Sequence, residues 1–486
     1  MAQQLHTSRI EPLRNEKWWG YFVSEGPRQP FEEGFGTRTD STAIPVTVPL
    51  MASNKGRYIW SEYPFTVTLD NGIFTITSDT EHISPTKSGN TLREAYLSCI
   101  HKHIRPTETE LGLRQPVYTT TLSTVSAADE TRLLQLVGEL AACGIDSGTI
   151  LIPDGWRDDS SEDGFDKNLY SSFRRLAGQI NEYGFDVMLT VTPLIPAAGY
   201  RYAEARRNNQ LVSDGDGKPI IIETPRGWYA CLDISRSEVC TALQNTLSNA
   251  VQQGNIKFYF NCDDVAEYLT DTNREIFLAN WSELARSNSA VITSRSTPTM
   301  LQWHPYSIVA EKLSWEGLGA ILSEVLCAGI TGHIYPYLDL SSVDPETDEE
   351  LMLRALQIAA FMPIPSIETG CDNPQYSRTI TQTASMSDYM TELKNRTSTT
   401  GEPIIRLMEY QFPNQGFANC DDQFMIGSEY LVAPILNSTG RRMVRLPKGI
   451  WIGSDGTKYK GPRVIELDVT SGETPVFRLK MPVKIR

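Results

Sequence analysis

The 486-residue sequence has no long apolar run. A bilayer-spanning helix needs about 18–20 such residues, so no membrane span is expected. The opening stretch, MAQQLHTSRIEPLRNEKWWGYF, has no apolar core, so no secretory signal is expected either. Cysteine is sparse and dispersed. Cys99, Cys143, Cys231, Cys240, Cys262, Cys327, Cys371 and Cys420 stand singly, with no CxxC and no Cys/His cluster. That pattern argues against a zinc site and a disulfide framework and suits reduced thiols in a cytoplasmic protein. Positive charge is in deficit: 44 Lys and Arg against 59 Asp and Glu give a net charge of −15. Nucleic acid, whose binding rests on phosphate neutralisation, and anionic membranes are therefore disfavoured as partners. No glycine-rich phosphate loop follows an early strand, which argues against a dinucleotide cofactor. No short internal repeat and no low-complexity tract is present.

What remains reads in three parts. Residues 1–112 are β-rich. A strand-like run ends at Asp70-Asn71-Gly72 and resumes at Ile73, and Asn-Gly is the strongest short hairpin signal. From about residue 115 short apolar strands alternate with helical periodicity. Strands are expected over 117–121, 149–152, 186–191, 257–260, 290–292, 332–335 and 402–408. Helices are expected over 128–144, 169–183, 237–252, 315–328 and 349–361. Repeated strand–helix units imply a parallel sheet with right-handed crossovers. About 300 residues of them suit an α/β chain closed into a (β/α)8 TIM barrel better than an open sheet. The barrel is expected over 113–418. From 419 to 486 the chain is β-rich again, with alternation over 441–446 and 463–469. The flanks are expected to be β-sandwich-like.

Several motifs in order resemble glycoside hydrolase family 31. Glu402-Pro-Ile-Ile-Arg-Leu-Met-Glu-Tyr, the later Asp421-Asp-Gln-Phe-Met-Ile-Gly-Ser-Glu-Tyr-Leu-Val-Ala-Pro-Ile-Leu and Arg445-Leu-Pro-Lys-Gly-Ile-Trp are similar to the end of that family's barrel and the segment after it. Lys55-Gly56-Arg57-Tyr58-Ile59-Trp60 resembles part of its N-terminal domain, and Gly184-Phe-Asp-Val-Met-Leu and Trp315-Glu-Gly-Leu match further. The resemblance implies α-glycoside hydrolysis with retention, by an attacking carboxylate and a carboxylic acid that protonates the leaving oxygen. It implies no metal and no organic cofactor, and a site at the C-terminal ends of the strands.

Both catalytic positions depart from the family. Its nucleophile is an aspartate ending the fourth strand in a pattern like Phe-Lys-Phe-Asp-x-Gly-Glu/Asp. Here the stretch is Phe258-Tyr259-Phe260-Asn261-Cys262-Asp263-Asp264, which puts Asn261 at that position. An amide cannot form a glycosyl ester as a carboxylate does. If the strand continues, Asp263 shares the face of Asn261, but taking over the role means moving the backbone by one strand repeat, roughly 6–7 Å. The alternative is that Asp263 and Asp264 cap the following loop. The acid/base aspartate lies five residues before the tryptophan of a Ser-Trp-Glu/Gly-x-Leu pattern, and that count from Trp315 lands on Ala310. A one-residue slip would bring in Glu311, otherwise a solvated helix residue.

The same resemblance places other polar groups at the mouth. Asp154 and Trp156 match the loop after the second strand, where Pro153 replaces a frequent acidic residue. Trp228 and Asp233 match the segment before the fourth strand. Arg295 lies near the family's arginine after the fifth. Asp339 matches an aspartate after the sixth, with Tyr335 just before it. Trp303, His304 and His333 add aromatic and titratable groups. Histidine can transfer protons near neutral pH, although a lone histidine is more often structural, and the tryptophans divide evenly between core packing and ligand stacking. Three functions are open. One is a site repurposed for non-hydrolytic small-molecule chemistry, such as proton transfer, elimination, isomerisation or cyclisation, in an intracellular biosynthetic pathway. Another is a retaining α-glycosidase using Asp263 or Asp264 with Glu311. The third is a non-catalytic sugar-binding or scaffold protein. In each the partner is a small molecule, a sugar or glycoside among the candidates, and oligomeric state stays open.

Overall fold

The Asn-Gly signal is realised as a two-residue hairpin. Asp70 pairs with Ile73, and Asn71 and Gly72 take φ of 53° and 70°. Two successive positive φ values match the twist of the flanking strands, which is why this dipeptide closes the turn. The computed structural model describes residues 5–22, 29–36, 47–63, 65–104, 117–119, 129–142, 145–158, 164–224, 227–262, 265, 271–293, 306–309, 313–340, 343, 347–364, 366–368, 378, 383, 385–469 and 473–480. The hairpin belongs to a four-stranded antiparallel sheet in the order His6–Ile10, Ile73–Ser78, Thr66–Asp70, Phe35–Gly36. A second four-stranded sheet runs Trp18–Phe22, Thr47–Ser53, Arg57–Trp60, Thr86–Lys87. Trp18, Met51 and Ile59 of one sheet pack with Ile10, Val67, Phe74 and Ile76 of the other in one apolar cluster.

The central strand–helix rhythm gives an eight-stranded sheet. Its strands are Val117–Thr119, Gly148–Ile152, Phe185–Val191, Ile256–Phe260, Val291–Thr293, Tyr306–Val309, Pro336–Asp339 and Ser366–Glu368. Every pairing is parallel. The hydrogen-bonded order runs from the seventh strand down to the first and then to the eighth. The first seven strands thus lie in sequence order, the order produced by repeated right-handed crossovers, and the eighth pairs with the first. Helices Phe173–Glu182, Ser237–Val251, Asp271–Ser287, Trp315–Ile330 and Glu349–Ala360 fall between strands. In the first of these Phe173, Leu176, Ala177 and Ile180 are buried, one helical stripe against the sheet. Ser172 caps it by accepting the Arg175 N–H. It ends at Gly184, φ 93°, where an added Cβ would lie 2.1 Å from the Asp146 carbonyl oxygen. Only glycine fits there.

The strands bury both faces. Ile150, Ile152, Leu189 and Phe260 face the helices. Val117, Leu151, Met188, Tyr259, Val291 and Tyr337, from six different strands, meet with Ile364 in a separate inner cluster.

Three expectations are corrected. Residues 332–335 are not a strand; the seventh strand is Pro336–Asp339. The sixth strand, Tyr306–Val309, and the eighth, Ser366–Glu368, are additions to the expected set. The apolar run at 402–408 is not a parallel strand. Only Ile405–Arg406 is extended, and it pairs antiparallel with Phe424–Ile426. A short apolar run reads alike for either kind of strand, and here Arg406 is drawn into an ion pair with Glu402 at 2.6 Å. That pairing starts a six-stranded antiparallel C-terminal sheet, continued by Tyr430–Val432, Val476–Leu479, Arg441–Gly453 and Lys458–Asp468. One apolar cluster ties the parts together: Trp19 and Leu50 from the N-terminal sheet, Leu322 and Val325 from Trp315–Ile330, and Ile405 and Phe424 from the C-terminal sheet.

Candidate functional site

Because the eight strands are parallel, the residues at their C-terminal ends share one end of the sheet. Asp339 is the last residue of the seventh strand, not a residue after the sixth, and is buried. Its Oδ2 accepts a hydrogen bond of 3.0 Å from the Tyr259 hydroxyl, itself a buried inner residue of the fourth strand. Asn261 follows that strand directly. Its backbone N–H donates to the Val191 carbonyl at 2.9 Å, which carries the ladder with the third strand one residue beyond Phe260. Side chains alternate along an extended chain, so Asn261 shares the inner face of Tyr259. The chain then turns: the Val265 N–H donates to the Cys262 carbonyl at 3.0 Å. Asp263 and Asp264 lie outside the described residues.

A second group forms beyond the second and third strands. Asp154 is buried and accepts from the Thr192 hydroxyl at 2.8 Å. Arg157 approaches the other Asp154 oxygen at 3.5 Å and donates to the carbonyls of Thr192, at 3.1 Å, and Leu194, at 3.2 Å. This guanidinium staples the two loops and fixes the carboxylate between them. Arg201 stands close by. Burial, then the charge of Arg157, pulls its pKa down to about 10, against the pull of Asp154 and Glu204.

Other sequence candidates fall elsewhere. Trp156 is fully buried, tilted against Phe165, and its indole N–H is spent on the Thr190 carbonyl at 2.7 Å. It is a packing residue rather than a ligand platform. Trp228 is 59% exposed, on strand Gly227–Cys231 of a small antiparallel sheet that follows the third strand. Asp233 accepts from the Ser235 N–H and hydroxyl and pairs with Arg236 at 3.4 Å, a local turn before helix Ser237–Val251. His333 and Tyr335 precede the seventh strand and so stand at its N-terminal end, away from Asp339. Both are buried, burial pulls His333 down to about 3, and the Tyr335 hydroxyl donates to the Lys394 carbonyl at 3.3 Å. Arg295, Trp303, His304, Ala310 and Glu311 lie outside the described residues. Sequence reasoning missed Tyr259, Thr192 and Arg157. Strand alternation back from Asn261 points to the first, and nothing in local spacing points to the others.

The fold has known counterparts. Residues 401–480 match the glycosyl hydrolase family 31 C-terminal domain. The myogenesis-regulating glycosidase of Mus musculus is 22% identical over 403 residues, covering 75% of this chain and 55% of its own length. Alpha-glucosidase 2 of Bacillus thermoamyloliquefaciens is 27% identical over 153 residues, 28% of this chain and 19% of the enzyme. The chain thus spans about half the length of the first relative and less of the second. Among solved structures, a Flavobacterium johnsoniae family 31 dextranase complexed with glucose superposes with a TM-score of 0.83 at 18% identity, over 98% of this chain and 66% of that one. A family 31 sulfoquinovosidase from E. rectale, in complex with an aza-sugar inhibitor, gives 0.80 at 15% identity, over 98% and 82%. With the family's C-terminal domain in its sequence and the fold of these enzymes throughout, the chain is a relative of glycoside hydrolase family 31.

Proposed function

We propose that the eight strands close into a (β/α)8 barrel whose C-terminal mouth binds a small sugar or glycoside and acts on it without ordinary retaining hydrolysis. The sequential strand order, the inner cluster shared by six strands, and Cα atoms of the seventh and eighth strands within 8 Å of one another support the closed barrel. Neighbours solved with glucose and with xylose support a sugar as the ligand.

The observation that carries the chemical part is Asn261. Its backbone is held in the ladder at the end of the fourth strand, which supports the reading that its amide stands where the family pattern has its nucleophile. An amide offers a donor and an acceptor but no negative charge. It can hold a sugar oxygen and cannot form the covalent ester of a retaining mechanism. Asp339 and Asp154 are two carboxylates held at this end, and proton transfer on a bound sugar is the chemistry open to them. His333 and Tyr335 take no part, since they stand at the far end of their strand. The test is calorimetric titration with D-glucose, D-xylose and isomaltotriose, alongside an assay with aryl α-glycosides. Sugar binding without hydrolysis is the expected result. Hydrolysis that depends on Asp263 or Asp264 with Glu311 would support the displaced-carboxylate reading instead, and neither binding nor turnover would remove the sugar site.

A further inference from the structure

The inner face of the fourth strand presents two successive residues to this end of the sheet, Tyr259 and Asn261. In the family's fourth-strand pattern these positions carry Lys and Asp. Here both charges are gone together, replaced by a phenol and an amide. Losing one cation and one anion leaves the net charge of this face unchanged, and both replacements keep hydrogen-bonding capacity. The phenol is not idle: across 80 residues of sequence it donates to Asp339 Oδ2 at 3.0 Å, with both side chains buried.

We infer that Tyr259 is a positioning residue for Asp339, holding that carboxylate in the orientation from which it accepts hydroxyl groups of a neutral sugar. The inference rests on the proposed sugar site. A carboxylate on a short side chain is fixed in place by its backbone but turns about its last torsion, which is broad and shallow. A phenol anchored in a packed inner cluster removes that freedom. Tyr259 is well anchored, because it packs with Val117, Leu151, Met188 and Val291 and lies 6.2 Å, centroid to centroid, from the Tyr337 ring. Its donor is also a neutral one. Neutralising Asp339 by an ammonium would weaken it as an acceptor, whereas a phenol orients it and leaves its charge in place. Asn261, one inner position nearer the mouth, then adds an amide donor and acceptor to the same surface. The ligand class that fits is an uncharged polyhydroxy ring.

The test is a double-mutant cycle in ligand affinity with Tyr259→Phe and Asp339→Ala, read by calorimetry with D-glucose, D-xylose and isomaltotriose, with thermal unfolding measured for every variant. The wild-type chain is expected to bind at least one probe. Tyr259→Phe is expected to weaken it roughly five- to tenfold, the scale of one hydrogen bond to a charged group. In the Asp339→Ala background the same change is expected to have no further effect, because its target is gone. That non-additivity is the readout a purely structural tyrosine would not give. An unchanged affinity in Tyr259→Phe, or an equal loss with and without Asp339, overturns the positioning role while leaving the sugar site standing. Failure of the wild-type chain to bind any of the three probes overturns the sugar site and this inference with it.

Discussion

The backbone N–H of Asn261 is hydrogen-bonded to the Val191 carbonyl at 2.9 Å, so position 261 is part of the sheet and not of the loop beyond it. A ladder bond of this kind fixes where the side chain starts and which face it leaves from. Substituting a carboxylate from two residues on would mean breaking this bond and sliding the strand by roughly 6–7 Å, the length of one two-residue repeat. The turn closed by the Cys262 carbonyl opposes that slide. In the proposed sugar site, the amide at 261 is therefore the group at the end of the fourth strand.

Trp156 gives a prediction about stability. Its ring is fully buried and its N–H serves the Thr190 carbonyl. Trp156→Phe leaves that carbonyl unsatisfied and opens space beside Phe165. A loss of about 2–4 kcal/mol in urea-induced unfolding is expected. A stability within about 0.5 kcal/mol of wild type, the threshold for surface positions, accompanied by lost sugar binding would return Trp156 to the role of a ligand platform.

The Asp154–Thr192 bond predicts a change in affinity instead. Thr192→Val keeps shape and removes the 2.8 Å donor, so the carboxylate loses one of the groups that orient it. Weaker binding of D-glucose by roughly three- to tenfold is expected, with thermal unfolding little altered. Equal affinities in the two proteins would show that Asp154 does not touch the ligand.

A half-buried carboxyl and a buried histidine give opposite pH dependences. Glu324 lies on helix Trp315–Ile330, which packs beside the N-terminal strand Trp18–Phe22, and burial raises its carboxyl to about 7 from an ordinary 4.5. The folded state then holds a proton that the unfolded chain releases, so this contribution is complete below about pH 4.5 and is lost as pH rises towards 7. The span is on the order of 1–3 kcal/mol. Burial lowers His333 to about 3 from 6.5. There the unfolded chain takes up the proton first, so stability falls as pH drops below 6.5. In unfolding free energy measured from pH 4 to 8, wild type is expected to lose stability relative to Glu324→Gln as pH rises. Parallel profiles for the two proteins would contradict the assignment.

How much of the fold and the site is legible in the sequence depends on whether a signal is local. Asn71-Gly72 announces its hairpin because two positive φ values are a property of those two residues. The helix at 173–182 is readable from one apolar stripe and a serine cap. The sixth strand is not, since Tyr306-Ser307-Ile308-Val309 is too short to show a period. Residues 402–408 mislead because a buried run carries no mark of the sheet it joins. At the site, the amide at 261 can be read directly from the fourth-strand pattern. The burial of Trp156 cannot, because the same residue suits a core and a sugar face equally. Nor can the Tyr259–Asp339 bond, which joins residues 80 apart in sequence and exists only once the strands are in order.

The most direct test of the central claim is turnover of aryl α-glucosides, α-xylosides and α-galactosides by the wild-type chain, with Asn261→Asp and Asp263→Ala measured alongside. With an amide at the attacking position, wild-type hydrolysis is expected near background, since loss of an essential catalytic group costs several orders of magnitude. Asn261→Asp is expected to stay near background too, because Ala310 supplies no acid. Robust hydrolysis with retention by the wild-type chain, abolished in Asp263→Ala, would contradict the account and identify a displaced carboxylate as the nucleophile.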